Sequence, residues 1–219
     1  MSEEHWDDRY REAKHLSIWP WTDLVSHVMR LGRGDMSELR VLELGCGAGA
    51  NIKFFRRLGV QYHAIEGSPH IVERLSNAYP ELRGRLAVGD FTQDIPFDGN
   101  FDLVIDRAAL THNSTEAIER CLGNVHERMP TGAHFIGIDW FATDHQEFAS
   151  GEPGADEYTR SGYTTGPFAG VGQVHFSDRA HLTGLFEQFR IQSLEKKVVE
   201  RELPDPWRQS MWNIVAAKN

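Results

Sequence analysis

VLELGCGAGANIKFF, residues 41–55, decides the fold, because three glycines follow directly on a run of apolar residues. The apolar run is typical of a buried β-strand, and we predict one over residues 40–44. A glycine loop follows, then a helix as far as Leu58, which Gly59 ends as a C-terminal cap. Such a loop at a helix N-terminus can hold a pyrophosphate, a lone phosphate or an amino-acid tail. The loop alone does not distinguish these ligands.

Composition and charge limit the class of protein. The 219 residues suit one domain. There are 23 basic and 32 acidic residues, a net charge of -9, and no basic run is interleaved with aromatics, so we predict no nucleic-acid partner. The acidic start lacks an apolar leader and no apolar stretch reaches about 18 residues, so we expect a cytoplasmic protein without a membrane partner. Cys46 and Cys121 are too few for a disulfide framework, and we predict that both are buried.

Strand-like and helix-like segments alternate along the chain, which predicts an α/β fold with a doubly wound, Rossmann-like sheet. After the first strand, the predicted strands are residues 62–65, 86–88, 101–106 and 134–141. The helices between them are predicted from Ser68 and Pro69 to about Ala78, and from Ser114 or Thr115 to Met129. Ser177 is predicted to cap a helix over 178–189, and residues 191–200 and 211–217 are predicted to pair as an antiparallel edge.

The chain is predicted to be a single domain, 1–219, with two additions. Residues 1–36 form an N-terminal cover segment that includes a predicted helix over 6–14. Residues 142–176 form an insertion that is rich in Gly, Ser, Thr and Pro and too long for a simple connector. Such a loop is either functional or mobile, and we interpret it as a lid.

The glycines fit two ligand patterns. Gly45, Gly47 and Ala50 satisfy the dinucleotide pattern G-x-G-x-x-G/A, whereas Gly45, Gly47 and Gly49 satisfy G-x-G-x-G. Glu43 favours the second, because a carboxylate there would repel a pyrophosphate and would attract the ammonium of an amino acid, directly or through water.

Two further acids follow at the ends of the next strands. Glu66 lies about twenty residues after the loop, where a carboxylate can accept both hydroxyls of a ribose. Asp90 and Phe91 end the third strand, where the carboxylate can accept from an adenine amino group while Phe91 packs nearby. One ligand then has adenine, ribose and an amino-acid tail.

Four segments, ELGCGAG (43–49), EGS (66–68), GDF (89–91) and FDLVIDRAAL (101–110), resemble in order the motifs of class I S-adenosylmethionine-dependent methyltransferases. The resemblance covers nearly the whole chain. It implies a seven-stranded sheet in the order 3-2-1-4-5-7-6 with strand 7 antiparallel. It also implies S-adenosylmethionine as cofactor and S-adenosylhomocysteine as product.

The same resemblance assigns residues to parts of the cofactor. It places the methionine portion among Glu43, Gly45, Gly47 and Gly49, the ribose on Glu66, and the adenine on Asp90 and Phe91. It places Asp106 and Arg107 beside the sulfonium and the substrate mouth. The motifs also contain Cys46, Gly67 and Ser68, which complete the predicted cofactor-binding set.

Methyl transfer needs a base only when the nucleophile is protonated. The candidate base is His112, just beyond the fourth strand, although a loop histidine without a catalytic role is the alternative. His145 and His175 are weaker candidates. Arg107 is either functional or part of a structural ion pair with Asp106.

Two acids could bind a metal, since Asp106 and Asp139 end neighbouring strands and could share a divalent cation. Catechol-type relatives carry Asp-Asn at the fifth strand, whereas Trp140 follows Asp139 here and cannot ligate. We therefore predict no essential metal. No NPPY-like tetrapeptide follows the fourth strand, where DRAA stands, which argues against acceptors such as nucleobase amines or glutamine side chains.

The acceptor is predicted to be a hydroxyl or an amine of a small metabolite. Candidate acceptor residues are Tyr158 and Tyr163 of the insertion and the aromatic residues of the cover, although for Trp19 and Trp21 we expect packing at the sheet edge. The alternatives are a nicotinamide-dependent oxidoreductase and a non-catalytic cofactor-binding subunit. Monomer and homodimer both remain open.

Overall fold

The computed structural model describes Asp7, Tyr10 and residues 17–32 and 34–219. Most of the predicted helix 6–14, with Trp6, lies outside these described residues. The described α-helices are α1 (Thr22–Leu31), α2 (Ile52–Leu58), α3 (Pro69–Ala78), α4 (Thr115–Glu127) and α5 (Arg179–Leu185). The strands are β1 (Arg40–Leu44), β2 (Gln61–Glu66), β3 (Leu86–Val88), β4 (Leu103–Arg107), β5 (His134–Phe141), β6 (Glu152–Pro153), β7 (Thr159–Ser161), β8 (Val174–His175), β9 (Phe189–Arg201) and β10 (Trp207–Lys218).

Seven strands form the central sheet in the order β3-β2-β1-β4-β5-β10-β9. The strands β1 to β5 pair in parallel, and β10 is antiparallel to both β5 and β9. Numbered within the sheet, this is the order 3-2-1-4-5-7-6 with an antiparallel seventh strand. The predicted fold class is confirmed.

Local sequence signals set the ends of the helices. Gly59 ends α2 in the left-handed conformation at φ 76°, as its lack of a side chain allows. The Ser68 hydroxyl accepts from the Ile71 N–H at the start of α3, and the Ser114 hydroxyl accepts from the Ala117 N–H at the start of α4. These capped ends agree with the predicted positions.

The last helix is shorter than predicted and has a different cap. It begins at Arg179, and the capping side chain is Asp178, which accepts from the His181 N–H, so the prediction of Ser177 as the cap was wrong. The helix ends at Leu185 because the chain already turns into β9 at Phe189. A hydrophobic segment with helical spacing can also supply the start of a buried edge strand, and periodicity does not separate the two.

The core lies on both faces of the sheet, as the alternation of side chains along a strand requires. On β1, Leu42 and Leu44 pack into one cluster with α4 and α5, whereas Val41 packs into the other with α1, α2 and α3. Both clusters contain residues of β4, which holds the centre of the sheet.

The insertion 142–176 has structure of its own. The strands β6, β7 and β8 form a small antiparallel sheet. A third hydrophobic cluster lies beneath it, in which Phe168, Val171, Val174 and Phe176 pack against Phe141 at the end of β5. In the part of the chain that the structure describes, no helix has the length and apolar character to cross a membrane.

Candidate functional site

A pocket of about 350 Å³ opens at the carboxyl ends of β1 to β5. In an open α/β sheet this edge is where ligands bind, because the loops and helix N-termini converge there. Its walls come from the glycine loop, the ends of β2 to β5, the cover segment and the insertion.

The glycine loop forms the floor beside β1. Gly45 and Gly47 line the pocket and have φ values of 66° and 49°, which side chains rarely adopt. A Cβ on Gly45 would lie 2.4 Å from the Ala109 Cβ. Gly49 is absent from the lining, and a Cβ there would lie 2.7 Å from Leu75 Cδ2 of α3. The first two glycines therefore let the loop lie against Ala109 and Tyr10 at the pocket, whereas the third allows it to pack on α3.

Glu43 lies at the inner end of the pocket and is buried. Its carboxylate accepts from Asn51 Nδ2 at 2.8 Å and from the Tyr62 hydroxyl. Burial raises the pKa of Glu43 to about 7. Asn51, which the sequence analysis missed, also accepts from the Trp21 N–H at 3.4 Å, so it joins the cover segment to Glu43.

Glu66 ends β2 and lies against the glycine loop. One carboxylate oxygen accepts from the Gly47 N–H at 2.8 Å and the other from the Ser68 N–H at 3.1 Å. Burial raises the pKa of Glu66. Gly67 and Cys46 also line the pocket, whereas Ser68 does not, because its hydroxyl caps α3 and donates to Asp7.

Asp90 and Phe91 line the far side of the pocket beyond β3, together with Gly89. Asp90 Oδ1 accepts from the N–H and the hydroxyl of Thr92, at 2.9 and 2.7 Å. Among the described residues, Oδ2 has no hydrogen-bond donor and is left for a ligand. The three predicted acids thus line one half of the pocket.

Contrary to the prediction, Asp106 does not lie beside the pocket. It is fully buried beneath the loop that follows β4, where one oxygen accepts from Trp140 Nε1 at 2.7 Å and the other from the Leu110 N–H at 2.9 Å. Burial raises its pKa to about 7. Side chains two apart on a strand share a face, so Asp106 points with Val104 into the core. Asp106 holds the loop that carries the pocket wall and does not touch a ligand there.

Arg107 lines the pocket, but its ion pair is with Asp139 and not with Asp106. The Arg107 Nε and Nη2 donate to Asp139 Oδ2 at 3.2 and 3.0 Å. The guanidinium carbon lies 3.7 Å from the ring centroid of Trp21. Trp21 itself lines the pocket, so the expectation that it only packs at the sheet edge was wrong.

His112 lines the pocket from the turn Leu110–His112. Its Nδ1 lies 3.3 Å from the Gln173 carbonyl, which connects it to the insertion. The weaker candidates His145 and His175 are buried away from the pocket, and burial lowers the pKa of His145 to about 4 and that of His175 to about 3. Both pack among aromatic or histidine rings, so their role is structural.

The insertion closes the acceptor half of the pocket with residues that differ from those predicted. Tyr158 stacks on His181 at 3.6 Å, and Tyr163 is buried with its hydroxyl donating to the Glu147 carbonyl. Neither tyrosine lines the pocket. The residues that do so are apolar and lie on the turn after Tyr163 or at the end of β5: Pro167, Phe168, Val171 and Phe141.

The cover segment contributes Tyr10, Ser17 and Trp21 to the lining. The Tyr10 hydroxyl lies above Gly47, 3.0 Å from where a Cβ would stand. Trp19 remains 66% exposed, with the Lys53 ammonium 4.5 Å from its ring centroid.

The two acids proposed to share a cation have other partners. Asp139 pairs with Arg107 and with Lys197, and Asp106 accepts from Trp140. Within residues 17–32 and 34–219, Asp7 and Tyr10, no group of three or more His, Cys, Asp or Glu side chains is arranged to hold a metal ion.

Residues 41–132 match the family model described as methyltransferase domain. Over 97 residues the chain is 31% identical to magnesium-protoporphyrin O-methyltransferase of Rhodobacter capsulatus, an overlap of 43% of this chain and 42% of that enzyme. The chain thus spans less than half the length of this curated relative.

Solved structures share the fold. An S-adenosylmethionine-dependent methyltransferase from Methanosarcina mazei superposes with a TM-score of 0.66 at 16% identity, over 91% of this chain and 98% of that one. TehB from Haemophilus influenzae superposes with a TM-score of 0.65 at 15% identity, over 97% of this chain and 67% of that one. At such identities the likeness concerns the fold alone.

Proposed function

We propose that this chain is a class I S-adenosylmethionine-dependent methyltransferase that transfers a methyl group to a hydroxyl or an amine of a small molecule. One observation carries the proposal. A single pocket joins an acid-lined half, made by the ends of β1 to β3, to a half that contains His112 and the insertion. A cofactor and an acceptor bound in the two halves would be in contact.

The acid-lined half suits the cofactor. Among the described residues no donor reaches Asp90 Oδ2, which can accept from an amino group, and Glu66 offers acceptors for vicinal hydroxyls. Gly45 and Gly47 line this half without side chains, with Glu43 beside them for an ammonium. Because Glu43 and Glu66 already accept hydrogen bonds, their carboxylates are oriented before a ligand arrives.

Glu43, Glu66 and Asp90 would hold S-adenosylmethionine, which would supply an activated methyl group on a positively charged sulfur, with S-adenosylhomocysteine as the leaving group. The protein then has two tasks. The walls of the pocket orient the acceptor and exclude water, which supplies most of the acceleration. His112 accepts the proton that a hydroxyl or ammonium acceptor loses.

Two other functions were open from the sequence. The hypothesis of a nicotinamide-dependent oxidoreductase leaves Glu43 and Asp90 without a role, although both line the pocket. A non-catalytic subunit would bind the cofactor in the same way and would be distinguished by the absence of product. The location in the cytoplasm and the absence of an essential metal remain predictions. Monomer and homodimer both remain open.

Calorimetric titration with S-adenosylmethionine, S-adenosylhomocysteine and NADPH tests the cofactor. We expect binding of the two sulfur ligands alone. Removal of one hydrogen-bonding carboxylate by Glu66→Ala or Asp90→Ala should weaken binding about tenfold to hundredfold, the equivalent of roughly 1.5–3 kcal/mol. Asp94→Ala is the matched control, because Asp94 is exposed and its substitution removes the same charge. Equal affinity in all variants would contradict the assignment.

A screen of small hydroxyl and amine acceptors with methyl-labelled cofactor tests the transfer. We expect labelled product from at least one class of acceptor and release of S-adenosylhomocysteine. Tight cofactor binding with no product from any acceptor would favour the non-catalytic subunit instead.

A further inference from the structure

The pocket divides its charges between its two halves. The three lining acids, Glu43, Glu66 and Asp90, lie at or just beyond the carboxyl ends of β1, β2 and β3, which form one side of the sheet. The lining residues at the ends of β4, β5 and β10 and on the insertion include Arg107 and His112 but no Asp or Glu. An acceptor in that half would therefore meet a cation and hydrogen-bond donors, without a facing carboxylate.

Arg107 is held rigidly before any ligand binds. One face of the guanidinium lies on the Trp21 ring at 3.7 Å, and its Nε and Nη2 donate to Asp139. Asp139 is fixed in turn, because its other oxygen accepts from Lys197 and its N–H donates to Asn213. An arginine whose plane is fixed loses little conformational freedom when it binds a planar anion.

The way Asp139 binds Arg107 leaves a defined set of donors. Asp139 uses the side of the guanidinium formed by Nε and Nη2. The end formed by Nη1 and the second hydrogen of Nη2 has no partner among the described residues. Two parallel N–H groups at that end match the two oxygens of a carboxylate. Arg107 lines the pocket and its side chain is 31% exposed, so the guanidinium is within reach of a ligand.

The rest of this half suits an apolar body. Phe141, Pro167, Phe168 and Val171 line it, and Gln209 adds one polar side chain. Phe141 and Phe168 pack edge to face at 4.7 Å, so this wall is itself well packed. The bound cofactor is positively charged at sulfur, which adds a second cation near the acceptor.

From this arrangement, and resting on the proposed methyl transfer, we propose that the acceptor carries a carboxylate on an apolar or aromatic body, and that Arg107 binds this carboxylate. The nucleophilic hydroxyl or amine is then directed toward the cofactor half, with His112 beside it. Arg107 acts as a specificity residue in this role and takes no part in proton transfer.

Paired probes test the proposal on protein saturated with S-adenosylhomocysteine. Acetate, benzoate, 3-hydroxybenzoate and indole-3-acetate are each titrated beside the corresponding neutral amide, with binding followed by ligand-observed NMR. We expect at least one acid to bind ten times or more tightly than its amide. Amides that bind as well as the acids throughout the panel would overturn the proposal, as would a panel in which neither member of any pair binds.

Variants of Arg107 test whether this residue produces the preference for the acid over the amide. Arg107→Gln should abolish the preference for the acid, and Arg107→Lys should lose most of it, because an ammonium cannot form the paired hydrogen bonds. Arg57→Gln removes the same charge from the exposed face of α2 and should leave the preference unchanged. An acid preference that survives in Arg107→Gln would refute the assignment. Failure of S-adenosylhomocysteine to bind the wild-type protein would instead refute the proposed function, so the two failures are distinguishable.

Discussion

Replacement of Asp106 by asparagine tests the buried carboxyl group beneath the pocket wall. Burial raises the pKa of Asp106 from its usual value of 3.8 to about 7 in the folded protein. Between these values the folded state binds a proton that the unfolded state does not. The contribution of Asp106 to stability is therefore complete below about pH 4 and is lost as the pH rises through 7. Three pH units correspond to roughly 4 kcal/mol.

Asparagine is neutral at every pH, so the variant lacks the pH dependence of stability that Asp106 causes. It also replaces one oxygen by an amide NH2 that faces the donor of either Trp140 or Leu110, which should cost about 1–3 kcal/mol at every pH. We expect Asp106→Asn to be less stable than wild type at pH 5. As the pH rises from 5 to 7, the variant should gain about 2–3 kcal/mol relative to wild type.

Urea unfolding at pH 5, 6, 7 and 8, followed by tryptophan fluorescence, measures the effect. The difference between variant and wild type must be used, because other groups titrate in the same range. The lowered pKa values of His145 and His175 make the wild type less stable as the pH falls below about 6.5, which opposes the Asp106 effect. Parallel pH profiles for variant and wild type would refute the reasoning.

Further predictions concern the loop, the base and the metal. Gly45→Ala should weaken cofactor binding at least tenfold in titration calorimetry, because its Cβ would lie 2.4 Å from that of Ala109, whereas Gly84→Ala, at a similar φ but in open space, should leave binding intact. His112→Gln should lower kcat about a hundredfold for a hydroxyl acceptor with little change in cofactor affinity, and an unchanged kcat would exclude a base role. Treatment with EDTA should leave the transfer rate unchanged, and a loss that magnesium restores would disprove the prediction of no metal.

Much of the fold was predictable because the deciding signals are local. Apolar strands, the glycine loop and the caps Gly59, Ser68 and Ser114 each depend on residues close in sequence. The family motifs then supplied the strand order, which no local signal contains. The helix α5 was predicted, but its end was placed too late because the apolar start of an edge strand and the end of a helix look alike in composition.

The site was less predictable because it depends on where side chains point and on distant partners. Side chains alternate along β4, so the strand pattern itself predicts that Asp106 faces the core with Val104. The contact of Trp21 with Arg107 joins residues far apart in sequence, and no pattern announces it. The same holds for Asn51, whose partners lie on the cover and on β1.

The hydrophobic cluster of the insertion has a practical consequence for engineering. Because Phe168 and Val171 belong both to that cluster and to the pocket wall, one continuous stretch of chain supplies part of the apolar wall of the acceptor half. The residues that line the cofactor half lie outside this stretch. A graft of residues 142–176 from another protein of this fold should therefore change the preference for the apolar body of the acceptor. The preference for a carboxylate, which depends on Arg107, and the affinity for S-adenosylhomocysteine should both be preserved, and a graft that lost that affinity would show that the two halves are not separable modules.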